Sequence, residues 1–213
     1  MHKDEGQDDD GHFSSSYSLT EPEDTKAHYK SWAATYDKEV SEENQYAQPQ
    51  RCAEALAQYL EPARTRVLDA GCGSGLSGVA LKAAGYKTID GCDFSPDMLA
   101  RAHDKGVYAK LFEADLNEGQ PDTSNATYDA VTAVGVFSFG HVSPDACDDL
   151  LRITKPGGYL IIALNEKFWD EGSLSKKVNQ LESDGAIRIL STEYGAHLPG
   201  HDVNGWVLVL RKK

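Results

Sequence analysis

Residues 67–85 read VLDAGCGSGLSGVALKAAG. The stretch opens as a short strand of the buried type, breaks at a run of glycines, and continues with helix-forming residues through Leu81 to Ala84. Strand, glycine loop and helix in that order open a Rossmann-like unit. Gly73, Gly75 and Gly78 satisfy the GxGxxG pattern, and Gly71 precedes them. The physics of that pattern is general: glycines let the backbone turn sharply and approach a ligand, and the following helix presents free N–H groups. Other residues must decide the ligand.

Working outward, the pattern alternates between short β-rich runs and helical stretches. KTIDGCD (87–93) is a second strand, with Ser95 and Pro96 as cap and first turn of a helix reaching about His103. VYAKLFEAD (107–115) reads as a third strand and YDAVTAVG (128–135) as a fourth. SPDACDDLLRIT (143–154) is a helix ending at the KPGG turn, and GYLIIALN (158–165) is a fifth strand. A helix covers about 172–184, and AIRILSTEY with NGWVLVLRK forms a closing antiparallel pair. Upstream, a helix is expected from about Arg51 to Leu60, between Pro49 and Pro62. The fold class is therefore α/β: a mostly parallel sheet with helices on both faces and a C-terminal antiparallel strand pair.

A chain of 213 residues can build one sizeable core. Residues 1–24 hold eight acids and one lysine with few apolar groups, so they are expected to form a disordered tail. Residues 25–213 are expected to form the domain, with a helical cap over about 25–61 in which Tyr29, Trp32, Tyr36 and Val40 share one helix stripe. The formal net charge of −13 disfavours a nucleic-acid partner. No apolar run suits a bilayer and no secretory signal opens the chain, so no membrane association and a cytoplasmic or nuclear address are expected. Cys52, Cys72, Cys92 and Cys147 lack the spacing a metal site needs and read as reduced thiols. Nothing in the sequence marks an obligate protein partner.

Asp69 is the discriminating neighbour of the glycine loop. At the carboxyl end of the first strand its carboxylate would oppose a pyrophosphate, whereas a ligand with a sulfonium and an ammonium tolerates it. Tying down the loop by hydrogen bonds is its other reading. A nicotinamide enzyme of the short-chain type is disfavoured because none of the ten tyrosines has Lys four residues later.

VLDAGCGSG, DGCDFSPDML, EADLNE, YDAVTAVGVF and LLRITKPGGYLII follow one another in the order of the successive motifs of the class I S-adenosylmethionine (SAM)-dependent methyltransferases, which residues 26–213 resemble. YKSWAATYD and GVFSFGHV are most similar to the Williams-Beuren-region methyltransferase-like subgroup. The resemblance implies SAM as cofactor. It assigns Gly71 and Gly73 to the loop beneath the ligand, Asp93 to the ribose hydroxyls, Phe94 to an adenine face, and Asp115 with the Leu116 backbone to the adenine edge. It further assigns the backbone of Gly135 and Val136 to the ligand's ammonium, and the Tyr29, Trp32, Tyr36 helix to the methionine end. Core packing of that helix fits its stripe equally well.

Methyl transfer is an in-line displacement, so alignment and desolvation carry most of the catalysis. A base is needed only if the acceptor must lose a proton. VFSFGHV follows the fourth strand at the mouth of the crevice, which makes Phe137 and Phe139 candidate acceptor contacts and His141 a candidate base. Trp169 is a candidate for the same aromatic wall. The expected activity is methyl transfer to a small molecule; a SAM-binding sensor or partner module without catalysis fits the same motifs.

Overall fold

A computed structural model of the protein describes residues 45–120 and 122–213. The acidic tail, most of the expected cap, and Tyr29, Trp32 and Tyr36 lie outside the described residues. The first described helix, α1, spans Gln48–Ala57, with Pro49 in its first turn, where a missing N–H costs nothing. It starts and stops earlier than the prolines alone suggest. A 3₁₀ turn over Pro62–Arg64 then leads into the sheet.

Strand β1 (Arg66–Ala70) lies between β2 (Thr88–Asp93) and β4 (Tyr128–Val134), parallel to both. Its side chains alternate between two cores: Val67 joins one buried cluster and Leu68 the other. Helix α2 (Leu76–Ala83) follows the glycine loop, and α3 (Pro96–Asp104) follows β2, its Ser95 side chain accepting from the Met98 amide at 3.3 Å. Strand β3 (Lys110–Glu113) pairs only with β2 and is shorter than the run 107–115. The early part of that run is used differently: Tyr108 turns into the space over Gly78 and Gly91.

Helix α4 (Ala146–Ile153) passes directly into β5 (Thr154–Asn165). The expected KPGG turn is thus part of a strand. The register shifts between Tyr128 and Ala130, so the extra residues around Pro156 are absorbed as an irregularity where no ladder N–H is needed. After β5 come a short helix α5 (Glu166–Glu171), α6 (Ser173–Ser183), β6 (Ile187–Leu198) and β7 (Val203–Lys212). Strand β7 runs antiparallel to both β5 and β6.

Among the described residues the sheet order is β3-β2-β1-β4-β5-β7-β6. Cys52 and Leu56 of α1 and Leu81 of α2 cover one face; Leu150 of α4 with Leu174 and Val178 of α6 cover the other. The chain moves outward from β1 to β3 and then returns to the far side of β1 as β4. That reversal opens a crevice at the carboxyl ends of β1 and β4, the position at which open α/β sheets bind ligands. Among the described residues no helix is long and apolar enough to cross a membrane.

Candidate ligand crevice and acceptor cavity

The glycine loop and the end of β4 meet across the crevice. Gly71 has φ 68°, and a Cβ there would lie 2.6 Å from Val136 Cγ2, so both the backbone conformation and the contact require glycine. Gly73 differs: a Cβ would meet nothing within 4 Å, so its outer side is open. Its amide donates to Asp93 Oδ2 at 2.9 Å, and the Ser95 amide donates to Oδ1 at 2.9 Å. Asp93, at the end of β2, is buried, and that burial pushes its carboxyl up to about 6 against the pull of the two amides. Phe94 beside it is half-buried.

Asp69 lies beneath the first turn of the helix that follows the glycine loop. It is fully buried, and its carboxylate accepts from Ser77 Oγ at 2.5 Å, Tyr108 Oη at 2.7 Å and Thr132 Oγ1 at 3.2 Å. Of the two sequence readings, loop anchoring is the one its surroundings match. Residue parity explains this: Asp69 shares a face with Val67, beneath α2, and so points under the helix rather than at the strand ends. Tyr108, which sequence reasoning left within a strand, completes the anchor. Its hydroxyl also accepts the Gly78 amide at 3.2 Å, and its ring occupies the space a Cβ on Gly78 would need.

Asp115 accepts from the Asn117 amide at 2.9 Å, which closes a tight turn after β3. Leu116 is buried against the core. Asn117, absent from the sequence candidates, joins this turn to the loop after β4: its side chain donates to the His141 carbonyl at 3.1 Å and accepts the Ser143 amide at 2.9 Å. Gly135 is exposed at the strand end with φ 69°.

Beyond β4, residues 138–144 wall a cavity of about 320 Å³, near the small end of the roughly 300–1,000 Å³ typical of ligand pockets. Phe139, His141, Phe168 and Glu171 line it. Phe139 is 38% exposed and packs edge-to-face on Phe168 with centroids 5.2 Å apart. Phe137 has 0% exposure and belongs to the core. The loop turns at Gly140, whose φ is 70°.

Trp169 does not line this cavity; its ring packs at a tilt against Trp206 with centroids 5.7 Å apart. Its neighbour Phe168 takes the expected place. Helix α5 decides between them, because consecutive side chains point about 100° apart, and the Asn165 side chain fixes the helix start by accepting the Phe168 amide at 2.9 Å. His141 Nδ1 lies 2.8 Å from the Phe139 carbonyl and 2.8 Å from Ser138 Oγ. A carbonyl can only accept, so Nδ1 carries the proton and Nε2 is the basic nitrogen of the neutral ring.

The four cysteines are free and buried, and burial raises each thiol well above its usual range, Cys92 to about 12. Among the described residues no cluster of side chains suits a metal ion.

A family model described as a methyltransferase domain matches residues 67–158. The chain is 35% identical over 136 residues to methyltransferase-like protein 27 of Homo sapiens, covering 63% of this chain and 55% of that one. It spans about half the length of the curated relatives it matches. Among solved structures, a chain from the Haloferax volcanii complex between the Trm112 methyltransferase activator and a methyltransferase superposes with TM-score 0.65 at 18% identity, covering 88% of this chain and 96% of that one. A TehB-like SAM-dependent methyltransferase from Corynebacterium glutamicum gives TM-score 0.64 at 18% identity, with 88% and 99% covered. The two superpositions concern the fold, while the domain match and the human relative concern the sequence. Residues 67–158 thus match a methyltransferase domain, the sequence is related to the methyltransferase-like protein 27 group, and the fold is that of the solved SAM-dependent methyltransferase structures.

Proposed function

We propose that the chain is a SAM-dependent methyltransferase that acts on a small-molecule acceptor bound between the 138–144 loop and α5. The observation that carries this reading is the Asp93 carboxylate beside the open side of Gly73, at the topological switch point of the sheet. Asp93 keeps acceptor capacity beyond its two amide bonds, enough for a pair of ribose hydroxyls. Phe94 and Asp115 follow at the neighbouring strand ends, where an adenine would be held. When bound, SAM supplies an activated methyl group on a neutral thioether leaving group.

The chain's own residues have three tasks. The glycine loop and Asp93 orient the donor, Phe139 and Phe168 exclude water from the acceptor, and His141 Nε2 takes a proton from an acceptor that must lose one. The cavity of about 320 Å³ has room for a small acceptor, and the net charge of −13 argues against nucleic acid. An activator subunit, as in the Haloferax volcanii complex, is the competing arrangement.

Incubation of the protein with methyl-labelled SAM and a metabolite extract tests the reading. Labelled small products support it. Labelled RNA or protein in a total lysate would redirect it to a macromolecular acceptor, and tight SAM binding without any product would mark a sensor. NADH binding more tightly than SAM and its product would overturn the crevice assignment altogether.

A further inference from the structure

Strands β2 and β4 flank β1, and neighbouring strands lie about 4.8 Å apart, so the Asp93 and Gly135 strand ends stand roughly 10 Å from each other across the crevice. A residue from outside the sheet reaches the Gly135 end. A Cβ on Gly135 would lie 2.5 Å from the Tyr46 hydroxyl, so glycine at this position accommodates that hydroxyl.

Tyr46 is held there by a buried polar anchor. Its ring packs edge-on against His197 with centroids 5.2 Å apart, and the next amide, Ala47, donates to the His197 carbonyl at 3.0 Å. Gln48 has 0% exposure; its side-chain nitrogen donates to the Leu164 carbonyl at 3.2 Å and lies 3.0 Å from His197 Nδ1. Arg51, one turn on, donates to the carbonyls of Ala196 at 2.8 Å and Glu193 at 2.9 Å. Burial lowers His197 to about 4, so the anchor holds no titrating charge near neutral pH. The residues just before α1 are thus fixed to the β6–β7 hairpin, and the hydroxyl they carry stays at the strand end.

We propose that Tyr46 is a binding residue of the crevice, its hydroxyl hydrogen-bonding the amino-acid arm of the S-adenosyl ligand at the opposite end from Asp93. The assignment rests on the proposed function, in which Asp93 takes the ribose. A ligand so anchored and crossing the glycine loop carries its zwitterionic arm over the end of β4, where a phenol O–H can donate to its carboxylate.

Calorimetry with two probes tests this: S-adenosylhomocysteine, which has the arm, and 5′-methylthioadenosine, which lacks it. Tyr46→Phe keeps the ring packing and is expected to weaken S-adenosylhomocysteine binding about tenfold or more while leaving methylthioadenosine binding unchanged. Asp93→Ala is expected to weaken both ligands. Undiminished S-adenosylhomocysteine affinity in Tyr46→Phe, or an equal loss for both ligands, overturns the assignment. A wild-type protein that binds neither ligand overturns the proposed function, and the role of Tyr46 with it.

Discussion

The Tyr108 hydroxyl donates to the buried Asp69 carboxylate at 2.7 Å while accepting the Gly78 amide at 3.2 Å. One phenol therefore links β1, the first turn of α2 and the approach to β3. Burial alone raises the Asp69 carboxyl above its ordinary value, and the bonds from Ser77, Tyr108 and Thr132 oppose that rise. This concealed group ties the strand before the glycine loop to the helix after it.

Tyr108→Phe keeps the ring and removes the hydroxyl, leaving a buried carboxylate short of one donor and a backbone amide without its acceptor. The expected cost is about 1–3 kcal/mol, read as a lower midpoint in urea denaturation with an unchanged slope. A midpoint equal to that of the wild type would mean that water or a neighbour replaces the hydroxyl, and the anchor would lose its significance.

The two phenylalanines after β4 should separate cleanly by truncation. Phe137, with 0% exposure in the core, should cost about 3–5 kcal/mol when changed to Ala. Phe139, 38% exposed, should cost far less in stability and should instead weaken acceptor binding. Thermal denaturation of both variants decides it; a stable Phe137→Ala protein with impaired acceptor binding would restore Phe137 to the cavity.

The fold was legible because period and punctuation agreed along most of the chain. Two misreadings came from contacts that local pattern does not encode: VYA (107–109) looks like strand but serves the packing of Tyr108, and KPGG looks like a turn but is absorbed into β5. Within the site, the signal for Gly71, Gly73 and Asp93 lay in motif position, which the strand ends enforce. Asp69 kept two readings in the sequence because a carboxylate at a strand end can point along either face, and the parity with Val67 puts it beneath α2. Phe168 could have been found by turning α5 from its Asn165 cap, which puts Phe168 and Trp169 on different sides. Tyr46 and Asn117 carried no signal, since their roles depend on residues 89 and 24 positions away.

Asp93 sets a pH dependence with two opposite signs. Its carboxyl rises from 3.8 to about 6 in the folded protein, so its contribution to stability is present below about 3.8 and is lost as the pH rises through 6. Ligand binding runs the other way, because the ionised form accepts hydroxyl donors. S-adenosylhomocysteine affinity should hold above pH 6 and fall below it, by up to about tenfold per unit, with a proton released on binding near pH 6. Calorimetry between pH 5 and 8, in buffers of different ionisation heat, measures both. Asp93→Asn should bind more weakly with a flat profile; a variant that keeps the wild-type slope would assign the titration to another group.

The Nδ1 proton of His141 is directed at the Phe139 carbonyl. That bond orients the ring and supports the charge it acquires on accepting a proton at Nε2, as a base in this cavity requires. His141→Ala and His141→Gln should each lower turnover about 10²–10⁴-fold if the acceptor must be deprotonated, with S-adenosylhomocysteine affinity unchanged in both. Ser138→Ala, which removes the hydroxyl 2.8 Å from the same nitrogen but leaves the carbonyl, should lower it much less. Near-normal turnover in both His141 variants would leave alignment and water exclusion by Phe139 and Phe168 as the source of the rate.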